Sequence, residues 1–216
     1  MHSSGQHSYC LPVLFLAGML AFCFPAIPSA ESPPEKPNSV LPEEYPIYDL
    51  VVQSKFLTSD TTLVKIHRLT VTRLGEEEKP LGREFFTENE YFEGRLPPGL
   101  LTDFLAKLRR PSRLELRFHF GVRYRLISDE VIDDTEVSLA PLPAAYVPIE
   151  YDGSVIQLEF SRVAFNAWKD QALVYVGNYR ADGSGAGFLV LLLKGKDGWE
   201  ILDTEVIWMA QAPRRK

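Results

Sequence analysis

Two stretches of this chain, residues 172–176 and 188–193, are apolar at both parities: Ala172 to Val176 and Phe188 to Leu193 leave no polar face. A strand of that kind must be covered on both sides, so it lies centrally in a sheet with material packed above and below. Candidate strands at 155–165 and 199–208 flank the pair. Turn chemistry separates the four segments at 166–170, at Asp182-Gly183-Ser184-Gly185 and at Lys196-Asp197-Gly198. The pattern predicts an antiparallel four-strand meander over 154–208.

The covering layer has to come from upstream. From Glu43, the apolar positions Ile47, Leu50, Val51 and Leu57 recur at helical spacing, with Pro46 tolerated in the first turn. A second helix is expected at 98–109, opened by Pro97 and Pro98 and striped by Leu101, Phe104, Leu105 and Leu108. A β-branched run predicts a strand at 62–72, and residues 76–80 read as a charged turn; 81–96 carry no clear period. From Leu114 to Leu126, apolar side chains alternate with Glu115, Arg117, His119, Gly121, Arg123 and Arg125, which predicts one long half-exposed strand. Together these elements predict an α+β fold: a curved antiparallel sheet packed by two or so amphipathic helices.

The N-terminus addresses the chain elsewhere. Residues 1–30 contain no Lys, Arg, Asp or Glu, and 11–24 form a nearly unbroken apolar run of 14. Spanning a bilayer takes about 17–25 residues, so the run suits a secretory signal cut after Ala30. Leu20-Ala21-Phe22-Cys23 resembles a lipobox, although Phe22 stands where a small residue is expected; Cys23 would carry the lipid. An uncleaved anchor is the third option. Residues 31–42 hold four prolines and read as an extended leader, with a single domain over 43–216. Cys10 and Cys23 are the only cysteines. Cleavage after Ala30 would therefore leave no thiol for a disulfide, a nucleophile or a metal.

Several chemistries lack their residues. A net charge of -6 argues against a nucleic-acid partner. The glycine loop 183–187 precedes a strand where a dinucleotide fingerprint needs a helix, and Ser184 has no strand-to-helix elbow. His67 and His119 are the only histidines beyond the signal, and no ligand spacing surrounds them, so no metal or other cofactor is expected. The acidic runs at 76–78 and 129–136 read as solvated turns.

Two constellations remain. Arg117, His119, Arg123 and Arg125, with Arg113, share one parity and would form a cationic stripe on the long strand. Such a stripe suits an anionic envelope component or an acidic protein surface, because an Arg fork bonds two oxygens at once. It could equally be an edge guarded by charge. Arg162 is the second. Ile156, Leu158 and Phe160 mark even positions as inward, while Val163 and Phe165 switch parity. Either a bulge near Ser161 resets the register or Arg162 enters the concavity of the sheet. In the second case it would anchor a small acidic ligand, with Tyr175 and Tyr179 as pocket walls.

The run Phe160-Ser-Arg-Val-Ala-Phe-Asn166, then 171–176, Gly185-Ala-Gly187, 191–193 and Gly198-Trp199-Glu-Ile201, resembles a group of exported bacterial proteins of unassigned function. Relatives in that group often carry cysteines around the glycine loop, where this chain has none. The terminal strand-turn-Gly-Trp pattern is similar to the cone-like rolls of nuclear-transport-factor-like and cystatin-like domains. These resemblances imply an exported roll but no activity. The expectation is a non-enzymatic binding module of the bacterial envelope, whether periplasmic or secreted. The alternative is a roll-shaped enzyme or small-ligand carrier with an apolar pocket between helices and sheet.

Overall fold

Apolar periodicity at the start of the domain becomes a continuous helical stretch. A tight turn at Pro42–Glu44 leads into α1 (Tyr45–Val51), and a wider turn at Val52–Phe56 closes it through Leu57 N–H to Val52 O at 3.1 Å. Then come β1 (Thr61–His67), α2 (Arg83–Glu88), a short turn at Tyr91–Gly94, α3 (Pro98–Lys107) and β2 (Arg123–Ile127). The meander follows as β3 (Ser154–Phe160), β4 (Ala164–Phe165), β5 (Gln171–Tyr179), β6 (Gly185–Lys194) and β7 (Trp199–Ala210). The computed structural model describes residues 37–74, 82–128, 154–180 and 183–211, all within one compact unit. The expected export segment with Cys23 and Ala30, and the expected turns at 76–80 and 129–148, lie outside the described residues.

The chain adopts the expected α+β class, in an open sheet ordered β2-β1-β3-β5-β6-β7 with β4 beside β5. The meander from β3 to β7 is antiparallel, but β1 pairs in parallel with both β2 and β3, so the sheet is mixed. Parallel neighbours need a long crossover, and the segment carrying α2 and α3 supplies it. The expected antiparallel pairing holds through the meander and does not extend to β1, because strand pattern alone carries no direction.

Both faces of β5 and β6 are covered. Val174, Val176, Val190 and Leu192 join Leu158, Phe160, Val64 and Ile66 on the first face, under Tyr45, Tyr48, Val51 and Val52. Leu173, Leu189 and Leu191 point to the second face, under Phe86, Leu100 and Phe104 of α2 and α3. Full burial of each such side chain contributes about 1.5–3 kcal/mol, which is why these strands tolerate no polar parity.

Residues 114–122 depart from the predicted strand. Only Arg123–Ile127 is extended and paired; before it the chain bends through Gly121, whose φ of +79° suits glycine. Leu114, Phe118 and Phe120 still point inward, but as a lid of rings on the first face, with Phe118 packed against Tyr45 and Phe160. Side chains of the first helical stretch replace ladder partners: the Tyr45 hydroxyl accepts from Glu115 N at 2.8 Å, and Asp49 Oδ1 from His119 N at 2.8 Å. Alternation named Leu114, Phe118 and Phe120 correctly as buried, but it failed at Leu116, which is 72% exposed, and it did not make a strand before Arg123.

Three further differences follow. The domain takes up the chain earlier than residue 43: Ser39 bridges Arg113, and Val40 is buried with its N–H bonded to Arg113 O at 2.9 Å. Residues 83–94, which showed no period, form α2 and a turn whose Phe92 and Glu93 hold φ of 55°. That turn is pinned where Glu205 Oε1 on β7 accepts from Phe92 N at 3.1 Å. Finally, β1 stops at His67, short of the predicted Thr72.

Candidate functional site

Arg162 sits where the ladder slips. Between Phe160↔Val176 and Ala164↔Leu173, three residues (161–163) oppose two (174–175), so a bulge resets the parity. Ser161 steadies it, its N–H donating to Tyr175 O at 3.0 Å while its Oγ accepts from Tyr175 N at 2.9 Å. The bulged Arg162 turns to Glu44, whose carboxylate is fully buried. Arg162 Nε lies 2.9 Å from Glu44 Oε1, and Nη2 makes a second, shorter bond to the same oxygen. Glu44 Oε2 accepts from Val163 N at 2.8 Å, and the Tyr48 hydroxyl lies 3.2 Å away. Burial opposes the Arg162 charge, but the bond to Glu44 and its charge outweigh that and raise the guanidinium's proton affinity. Burial, then the charge of Glu44, pushes the Tyr48 phenol well up. This cluster ties the first helical stretch to the bulge.

Tyr175 and Tyr179 belong to a different cluster, on the second face. Both hydroxyls donate to Glu159 Oε1, at 2.9 and 2.8 Å. Trp208 Nε1 donates to the Tyr175 hydroxyl at 3.0 Å. Burial, then the charge of Glu159, raises the Tyr175 phenol far above its ordinary value, so it stays protonated. Arg162 therefore shares no pocket with the two tyrosines that the sequence placed around it.

Glycines explain the shape of this second cluster. Glu159, Gly177, Gly187 and Trp208 are consecutive partners across four strands. A Cβ at Gly177 would come within 2.5 Å of Glu159, and one at Gly187 would overlap the indole of Trp208. The carboxylate and the indole therefore lie across bare backbone. The six-membered part of the indole also approaches Gly185, at 3.3 Å from an added Cβ. Tyr179 stands beside it, with ring centroids 5.5 Å apart and planes at 38°.

The cationic candidates divide as well. Arg117 and His119 lie on the irregular lid. Arg117 is paired with Glu115 at 2.7 Å, a bond that lowers the Glu115 pKa, and His119 Nδ1 is 3.8 Å from Asp49. Burial raises the Asp49 pKa. Arg123 and Arg125 are on β2, where pairing with Leu63 and Lys65 turns them to the second face. The stripe read along one strand is two separate groups.

Register joins the halves that sequence left apart. Arg125, Lys65, Gln157, Tyr179 and Gly185 are consecutive cross-strand partners. Paired residues project to the same face at strand spacings of about 4.8 Å, so Arg125 and Tyr179 are roughly 14 Å apart in one line. Gln157 Nε2 lies 2.8 Å from His67 Nε2. The row runs from two cations through an amide to two aromatic rings, on the part of the second face beyond Leu173, Leu189 and Leu191. Lys65, Gln157 and Trp208 were missed because nothing local marks them. The only available signal was the pair of glycines at 185 and 187, spaced to underlie a ring.

An open groove of about 370 Å³ lies off this row, lined by Arg68, Arg113, Glu115, Leu114, Leu116, Leu126 and Ser39. Among the described residues no three His, Cys, Asp or Glu side chains gather as metal ligands, and no helix is long and apolar enough to cross a membrane. No family model, curated protein or solved structure matches the chain.

Proposed function

We propose that this protein is an exported binding module that engages an anionic component of the bacterial envelope without transforming it. The observation that carries the reading is the transverse row Arg125–Lys65–Gln157–Tyr179, with Arg123 beside it. Cations aligned on one sheet face recognise carboxylates or phosphates by charge-assisted bonds, and amide and aromatic neighbours add shape. The charge-free, apolar N-terminus and the resemblance of residues 160–201 to exported bacterial proteins support the compartment. The anionic partner also fits a chain of net charge -6, because the attraction is local to one face.

Fractionation of cells expressing the full chain tests both parts. The expected product lacks residues 1–30 and sediments with the envelope, and Arg123→Glu with Arg125→Glu releases it. Recovery from the cytosol with Cys10 and Cys23 attached would refute export. Unchanged sedimentation of the double variant would refute the anionic partner.

A further inference from the structure

We infer that the row on the second face binds a linear polysaccharide bearing carboxylates, laid across the strands with a sugar ring stacked on Tyr179 and Trp208 and its carboxylates at Lys65, Arg125 and Arg123. This rests on the anionic-partner reading and names the class of partner. The backbones of β1, β3, β5 and β6 beneath the row are engaged in ladders on both sides, and only β2, which carries Arg123 and Arg125, is an edge, so recognition along the row comes from side chains. A peptide that adds as a strand would use an edge instead.

The aromatic end selects the chemistry. The Trp208 indole lies along bare backbone at Gly185 and Gly187, is held by its bond to Tyr175, and stays half-buried at the margin of the second-face core. An aromatic face carries negative quadrupole charge and attracts the polarised C–H groups of a sugar ring. Gln157 presents an amide beside His67, which suits neutral hydroxyl groups. Glu159, two residues along β3 from Gln157 in the adjoining row, accepts from both tyrosine hydroxyls, and its carboxylate disfavours dense anionic charge at the aromatic end. Cations at one end and a carboxylate among hydroxyls at the other therefore fit a chain of sparse charge and many hydroxyls better than a polyphosphate or a lipid head group.

The test is titration of the full chain with an oligogalacturonate, its methyl ester, polyphosphate and poly-glutamate. The oligogalacturonate is expected to bind, and the ester at least about tenfold more weakly, for loss of its charge. Lys65→Glu and Trp208→Leu should each weaken binding about tenfold, the ordinary cost of losing one central contact. Trp208→Phe, which keeps a flat ring, should stay within about threefold. Tyr179→Leu gives the same reading if Trp208→Leu lacks the native circular dichroism. Equal binding of all three polyanions, with no effect from the aromatic variants, would overturn the saccharide and leave the anionic-partner reading standing. Absence of binding by every polyanion would overturn both.

Discussion

Replacing Glu44 by alanine is expected to remove a large part of the stability of the fold, through one buried carboxylate. Its two oxygens accept from Arg162 Nε, Arg162 Nη2 and Val163 N, and its side chain is 0% exposed against 14% for Arg162. Breaking a buried ion pair from one side costs about 3–5 kcal/mol, because the remaining charge has no partner. A buried N–H left without an acceptor costs about 1–3 kcal/mol more, but the two share one acceptor and do not add. The expected loss is about 4 kcal/mol, which for a chain of this size lowers Tm by roughly 8–16 °C. Urea unfolding followed by tryptophan fluorescence would read it as a fall in midpoint at constant slope. Glu44→Leu combined with Arg162→Leu removes both charges and should recover at least about half of the loss. A single-variant loss below about 1 kcal/mol would refute the reasoning, since it would mean that water reaches the guanidinium in place of Glu44.

Gly187→Ala should displace the indole of Trp208 and break its bond to Tyr175, costing about 1–3 kcal/mol by overpacking and changing the near-ultraviolet circular dichroism; an unchanged spectrum would contradict the flat placement of the ring. Alkaline pH should destabilise the fold through Tyr45, Tyr48 and Tyr175, whose phenol pKa values are all raised, first by burial. The unfolded chain releases these protons near pH 10 while the folded one retains them, so stability is full below pH 10 and falls above it by about 1.4 kcal/mol per pH unit for each phenol. Tyr48→Phe should make that slope shallower in denaturant titrations between pH 10 and 11, and an unchanged slope would contradict the reasoning. Asp49 acts oppositely to a salt-bridged carboxylate: its pKa is raised by burial, so its unfavourable contribution is present at neutral pH and disappears as pH falls through its folded value. Asp49→Asn, which keeps an acceptor for His119 N–H, should therefore raise stability at pH 7 relative to that at pH 4, read by denaturant titration at the two pH values.

Burial was legible wherever a side chain's chemistry decides it. The doubly apolar runs gave β5 and β6 their central places, and the stripe Leu101, Phe104 and Leu108 marked α3. Alternation at 114–126 named the buried rings correctly, yet it could not distinguish a paired strand from a bent segment whose N–H groups bond Tyr45 and Asp49. The parity switch after Phe160 signalled the bulge, but its carboxylate partner lies 118 residues away at Glu44, beyond any local pattern. For the same reason the sequence grouped the cationic residues differently from the sheet. It grouped Arg125 with Arg117 because they share a parity along the chain, whereas a sheet groups residues by register across strands. Only the parallel pairing of β1 with β2 and β3 brings Arg125, Lys65 and Gln157 onto a line with Tyr179.

Partition of two single variants between soluble and envelope fractions tests that grouping most directly. Arg125 is in the row, and Arg117 is outside it, paired with Glu115. With the row as the binding face, Arg125→Glu releases the protein from the envelope and Arg117→Glu leaves it bound. Release by Arg117→Glu, with Arg125→Glu still bound, would contradict the account.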